Sequence, residues 1–117
     1  MEALSKQICV PCSGRSLKAT EEEITKFFKE ISQWQLKKVS EELRLERVYK
    51  FPDFQTALTF TQQVGECADQ MGHHPALLTE WGQVTVTWWT HAIGGLHQND
   101  FIMAAKTDEI AAKFTKN

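Results

Sequence analysis

No apolar run in this chain approaches the roughly 20 residues that a helix needs to cross a bilayer. The N-terminus also lacks a basic segment followed by an apolar one, the pattern of a secretory signal. From both absences we expect a cytoplasmic chain with no membrane partner. Charge of neither sign dominates, with 13 basic residues against 15 acidic ones and a net of −2. Nothing therefore draws the whole molecule toward nucleic acid or an anionic surface. Cysteine is scarce and odd in number (Cys9, Cys12 and Cys67), which argues against a disulfide framework. Cys9-Val-Pro-Cys12 is a CxxC, but no second CxxC would complete a zinc site. A redox pair would want a strand before it and a helix opening at it, whereas a polar leader and Ser-Gly-Arg-Ser flank it here. It reads as an ordinary thiol-bearing segment. No Gly-x-Ser-x-Gly elbow and no internal repeat occur either.

What is present suits one domain. At 117 residues, two domains would each be too small to bury a useful core. The 42% hydrophobic and 24% charged content is average for globular proteins, and four tryptophans and seven phenylalanines supply large apolar anchors. Residues 1–19, with Pro11, Gly14 and scattered serines, show no sustained period and read as an irregular arm. The single domain is expected over 20–117.

Thr20-Glu21-Glu22-Glu23 is a capping box, and Ile24, Phe27, Phe28 and Ile31 follow at helical spacing. A helix is expected over 21–31. From Trp34 the period changes to two. Trp34 and Leu36 form one strand row, Ser40-Glu41-Glu42 the turn, and Leu43, Leu45, Tyr49 and Phe51 the next row, interrupted by Arg47. Two half-buried strands in a hairpin are expected, ended by Pro52. Asp53 is a good N-cap for a second helix. Phe54, Ala57, Leu58, Phe60, Val64, Cys67, Ala68 and Met71 cover about half its circumference. Such a face belongs either to a deeply buried central helix or to a subunit interface, and the small size of the domain favours the interface. Gly72 and Pro75 end this helix. Strands follow at 77–81 and 84–90, turned by Gly82-Gln83, and a last helix begins near 98–100, its stripe broken by Asp108. The order α-β-β-α-β-β-α, with short links within each strand pair, predicts an α+β fold: a four-stranded antiparallel sheet with three helices on one face.

The four histidines all lie between positions 73 and 97. His73 and His74 sit between Gly72 and Pro75 at the end of the second helix, and Thr90-His91 ends the most strand-like run. Both ends can meet at one rim of the sheet, where loops gather side chains into a pocket. Three imidazoles are compatible with a zinc site, although neighbours on extended chain point to opposite sides. Nucleophilic catalysis fits less well, since Cys67 falls on a helix face. Acid–base work fits best, because imidazole exchanges protons near neutral pH.

Taken together, Asp69, His73-His74-Pro75, Trp81, Thr90-His91, Gly95-Leu96 and Asp100, with Trp34 and Asp53-Phe54, resemble the pterin-4a-carbinolamine dehydratase family, also called 4a-hydroxytetrahydrobiopterin dehydratase. The resemblance spans about residues 17–115. It implies dehydration of 4a-hydroxytetrahydropterin to quinonoid dihydropterin, regenerating the cofactor of aromatic amino acid hydroxylases, with no metal and no cofactor of its own. By position, the resemblance implies that His73 and His91 are the main acid–base groups and that His74 binds the pterin and shares in proton transfer. Asp69 and Asp100 orient imidazoles, and Trp34 walls the pocket. Family members assemble as homodimers and homotetramers, and animal members also serve as dimerisation cofactors of a homeodomain transcription factor. Three departures stand out. Asp69 replaces a common glutamate, Gly72 stands where some members have aspartate, and His97 takes the place of a Ser or Thr cap. Imidazole is the poorer cap, so His97 is expected to be a local substitution.

Overall fold

Helix α1 (Glu21–Phe28) begins where the capping box places it. The Glu23 N–H donates to Thr20 Oγ1 at 3.1 Å, and the Thr20 N–H donates back to the Glu23 carboxylate at 2.9 Å. A 3₁₀ turn over Lys29–Ile31 fills the rest of the expected span. The computed structural model describes residues 3–10 and 18–114. Helix α2 (Phe54–Met71) is capped by Asp53, whose carboxylate accepts the Thr56 N–H at 2.8 Å. The hydrogen bonds from Thr56 hold the Asp53 carboxyl below its ordinary pKa. At the other end Gly72 turns into the left-handed region with φ of 67°, which a residue without Cβ enters freely.

Strands β1 (Gln35–Val39), β2 (Glu42–Lys50), β3 (Ala76–Glu80) and β4 (Gln83–Trp88) form one antiparallel sheet in the order β1-β2-β4-β3. The turn between β1 and β2 is Ser40-Glu41, both at positive φ, and Glu42 already belongs to β2. Register places Leu45 opposite Trp88 and Tyr49 opposite Val84, so one face is apolar. Leu45, Tyr49, Val84, Val86 and Trp88 are all buried on that face. The α-β-β-α-β-β-α order and the α+β class are as the sequence predicts.

Three details differ from the sequence reading, each for a packing reason. The first hairpin strand is not half-buried: every residue of β1 is exposed, Leu36 included. β1 lies at the sheet edge, beyond the cover that the helices give to β2 and β4. The last helix, α3 (Gln98–Ala112), which the sequence showed only as a broken stripe, is the deeply buried one. Residues 99–105 are buried without a break, a pattern expected only where neighbours surround a helix. α1 covers it through Phe27 against Phe101, with ring centroids 5.4 Å apart, and residues 4–6 pack on it too. Helix α2, by contrast, buries Ala57, Phe60, Val64 and Ala68 and leaves Phe54 and Leu58 exposed. The expected arm, over residues 3–10, puts Leu4 fully into the core. Of the CxxC, Cys9 is half-buried, while Cys12 lies outside the described residues.

The two residues that break apolar patterns, Arg47 in β2 and Asp108 in α3, meet each other. Arg47 Nη1 donates to Asp108 Oδ1 at 2.8 Å, Trp34 Nε1 donates to it at 3.0 Å, and the Tyr49 hydroxyl donates to the same oxygen. Burial, and then the Asp108 charge, push the Tyr49 phenol well above its ordinary range. A raised native pKa means the contribution of Tyr49 is intact below the unfolded phenol's pKa of about 10 and is lost as pH rises above it. Tyr49→Phe is therefore expected to cost about 1.5 kcal/mol near neutral pH, the low end for a bond to a charged acceptor that keeps two other donors. It should also flatten the alkaline decline. Urea unfolding of both proteins at about pH 7 and at about pH 11 checks the two expectations.

Candidate active site

The left-handed turn at Gly72 ends α2 and throws the next two side chains apart. The His73 imidazole goes inward, with 9% of the residue exposed. Its ring stacks on Trp88 at 5.6 Å between centroids and 11° between planes. Its Nε2 lies 2.6 Å from Asp100 Oδ1. His74 goes outward, and its Nε2 lies 2.9 Å from Asp69 Oδ1 on an exposed surface. Pro75 leads the chain on into β3, so the two rings reach the same region from different depths, His73 from the interior and His74 from the surface.

Asp100, the third residue of α3, is fully buried. Such a carboxylate must be surrounded by donors. Its Oδ1 faces His73; its Oδ2 accepts the Thr90 hydroxyl at 2.7 Å and the His97 N–H at 2.9 Å. Because a carboxylate accepts, the hydrogen-bond pattern assigns the proton to His73 Nε2 and leaves the Nδ1 lone pair as the basic site of the neutral ring. The Asp69–His74 pair gives the same assignment to His74. His97 caps α3 through imidazole Nδ1, which accepts the Asn99 N–H at 3.0 Å. That agrees with a local capping substitution.

His91 leaves β4 through Thr90, which forms an isolated bridge with Gly95, and opens a 3₁₀ turn over His91–Ile93. Its ring lies against Trp89 at 4.5 Å. The Arg44 guanidinium covers the Trp89 ring at 3.9 Å, a cation–π contact that braces the aromatic from the sheet side. His73, His74 and His91 all line one cleft of about 210 Å³, together with Gly72, Trp89, Thr90 and Asn99. A larger cleft of about 260 Å³ beside Arg47 is lined by Gln33, Gln35, Glu46 and Val48, and holds no histidine among those residues.

The structure thus brings five of the six sequence-selected residues to one locality: His73, His74 and His91 in the cleft, with Asp100 and Asp69 behind two of them. Trp34 is not among them. It is 2% exposed, packs edge-on to Tyr49 and donates to Asp108. Asp108 lies two turns along α3 from Asp100, about 12 Å at helical rise, and that separation keeps Trp34 away from the cleft. Among the described residues, no three His, Cys, Asp or Glu side chains are grouped so as to hold a metal ion. Sequence reasoning missed the parts played by Trp89, Asn99 and Thr90's hydroxyl. The alternation of Thr87, Trp89 and His91 on one strand face was the signal for Trp89; nothing local marked Asn99.

The family profile for pterin 4 alpha carbinolamine dehydratase matches residues 17–110. A protein of Microcystis aeruginosa named as a candidate pterin-4-alpha-carbinolamine dehydratase is 56% identical over 110 residues, 94% of this chain and 95% of that one. A like-named protein of Chlorobaculum tepidum is 51% identical, over 94% of this chain and 99% of its own length. A crystal structure of a transcriptional coactivator/pterin dehydratase from Brucella melitensis has a TM-score of 0.73 and 34% identity, covering 81% of this chain and 99% of that one. A pterin dehydratase-like RuBisCO assembly factor of the alpha-carboxysome shares the fold, with a TM-score of 0.58 at 18% identity, over 68% of this chain and 89% of its own. By profile, by relatives along nearly the whole chain and by fold, the chain belongs to the pterin-4a-carbinolamine dehydratase family.

Proposed function

We propose that this chain dehydrates 4a-hydroxytetrahydropterin to quinonoid dihydropterin and water by histidine acid–base catalysis, in the recycling of tetrahydrobiopterin. The reaction needs a proton delivered to the departing 4a-hydroxyl and a proton removed from a ring nitrogen. No net oxidation occurs, so paired acid and base groups suffice. The observation that carries this reading is the buried Asp100–His73 pair opening into a cleft that His91 also lines. Asp100 holds the His73 ring in one tautomer and orientation, as a general acid or base requires. His91, exposed and fixed against Trp89, serves as the second proton-transfer group. His74, tethered to Asp69 at the rim, binds the pterin and exchanges protons with solvent.

A protein-binding role is the second reading, and the Brucella melitensis neighbour described as a transcriptional coactivator/pterin dehydratase is the observation that favours it. In our reading such a role would be additional to catalysis. Assembly into homodimers or homotetramers is supported by Phe54 and Leu58, which stand 44% and 42% exposed on α2.

His73→Ala and His91→Ala are each expected to lower kcat by about 10²- to 10⁴-fold, the usual contribution of one acid–base group. His74→Ala should act mainly on KM. Rapid-mixing turnover of synthetic 4a-hydroxytetrahydropterin measures all three, and a His91→Ala protein with full kcat would sink the assignment. Adding a chelator to wild type is expected to change nothing; loss of turnover would point to a metal instead. Asp100→Asn keeps the volume but cannot accept from all three donors, so kcat should fall, though less than in His73→Ala. The same assay, with circular dichroism to check folding, tests that order.

A further inference from the structure

One wall of the histidine cleft comes from outside the matched family region. The family match begins at residue 17, yet Val10 lines the cleft beside His73, His74 and His91. The segment that carries Val10 is fastened to the 3₁₀ turn after α1 and along α3 at successive points. Leu4 is fully buried and its N–H donates to Glu30 at 3.0 Å. Lys106 Nζ donates to the Ser5 carbonyl at 2.9 Å, and Gln98 Nε2 donates to Gln7 Oε1 at 2.7 Å. The last point is the most directional. Asn99, 2% exposed, accepts the Val10 N–H on Oδ1 at 3.0 Å and donates from Nδ2 to the Val10 carbonyl at 2.7 Å. This two-way amide pairing imitates a rung between β-strands and fixes both the position and the direction of the Val10 peptide.

The Val10 side chain nevertheless remains 55% exposed. Val10 lines the same cleft as the three histidines, so a ligand seated there would remove part of this apolar side chain from water. Asn99 directly precedes Asp100, so the first turn of α3 sets both the orientation of His73 and the location of this wall.

We propose that Val10 contacts the bound substrate as an apolar wall against the pterin, and that Asn99 is the positioning residue that holds it there. The inference rests on the reading of the cleft as a pterin site. Val10 touches substrate and transition state alike, so its contribution belongs in KM rather than kcat.

Val10→Ala and Asn99→Leu test this in the 117-residue chain, with two measurements on each. The first is binding of 7,8-dihydrobiopterin, a pterin that lacks the 4a-hydroxyl and cannot be dehydrated, together with steady-state turnover of 4a-hydroxytetrahydropterin. The second is amide hydrogen exchange at Val10. Val10→Ala is expected to raise both Kd and KM about fivefold, as loss of partly buried apolar groups predicts, with kcat within about twofold. Asn99→Leu should raise them in the same way and speed exchange of the Val10 amide. Unchanged Kd and KM in Val10→Ala would overturn the contact. In Asn99→Leu, a fall in kcat at constant KM, or a Val10 amide still protected, would overturn the positioning role. Should Asn99→Leu fail to fold, Val10→Ala, altered at an exposed side chain, still decides the contact. A wild type that binds no pterin would instead overturn the reading of the cleft, and that failure is visible before any variant is made.

Discussion

The carboxylate of Asp100 is the interaction on which this structure turns. It is fully buried, and an ionised group in that position is tolerable only when donors surround it. Its donors come from three places: His73 after α2, Thr90 after β4, and the His97 backbone at the start of α3. These are the three chain segments that must converge to make the cleft. One charge thus fixes the relative placement of two helices and a strand end, and one of its donors is an imidazole lining the cleft. Folding and the placement of His73 share this requirement.

Helix α3 is the spine that makes the arrangement possible. It is buried nearly all round, yet it carries Asn99, Asp100 and Thr107 inside. Each has partners: Thr107 donates to the Met103 carbonyl at 2.6 Å and accepts Trp88 Nε1 at 3.1 Å. Trp88 in turn backs the His73 ring. Buried polar groups that are satisfied in this way specify one docking of helix on sheet where apolar contacts alone would allow sliding. The polar positions of α3 define its register, and its apolar positions supply the adhesion.

Much of this was legible in the residues. Capping chemistry at Thr20, Asp53 and Gly72 located helix ends because those signals are local. Alternation located β2 and β4, and the His-His-Pro and Thr-His pairs located the cleft. What escaped depended on distant neighbours. The alternation in β1 looked half-buried, but its edge position is set by the order of the whole sheet. Trp34 looked like a pocket wall by analogy, whereas a carboxylate 74 residues away claims its N–H. Helix α3 looked untidy because its polar residues answer to partners on the sheet and in the N-terminal segment, and no 3.6-residue period encodes those. Asn99 belongs to the same class, since the bond that gives it meaning spans 89 positions.

The cluster at Asp108 has a consequence for how related chains diverge. One oxygen serves Trp34, Arg47 and Tyr49, which come from three separate stretches of chain. Loss of that carboxylate strands three donors at once, one of them a cation, while loss of any single donor leaves the others in place. Drift at these four positions is therefore lopsided. Exchange of the tryptophan, the arginine or the tyrosine removes one bond to this oxygen, whereas exchange of the aspartate removes all three. The half-buried carboxylate is thus the hub of the cluster, and the three donors are its spokes.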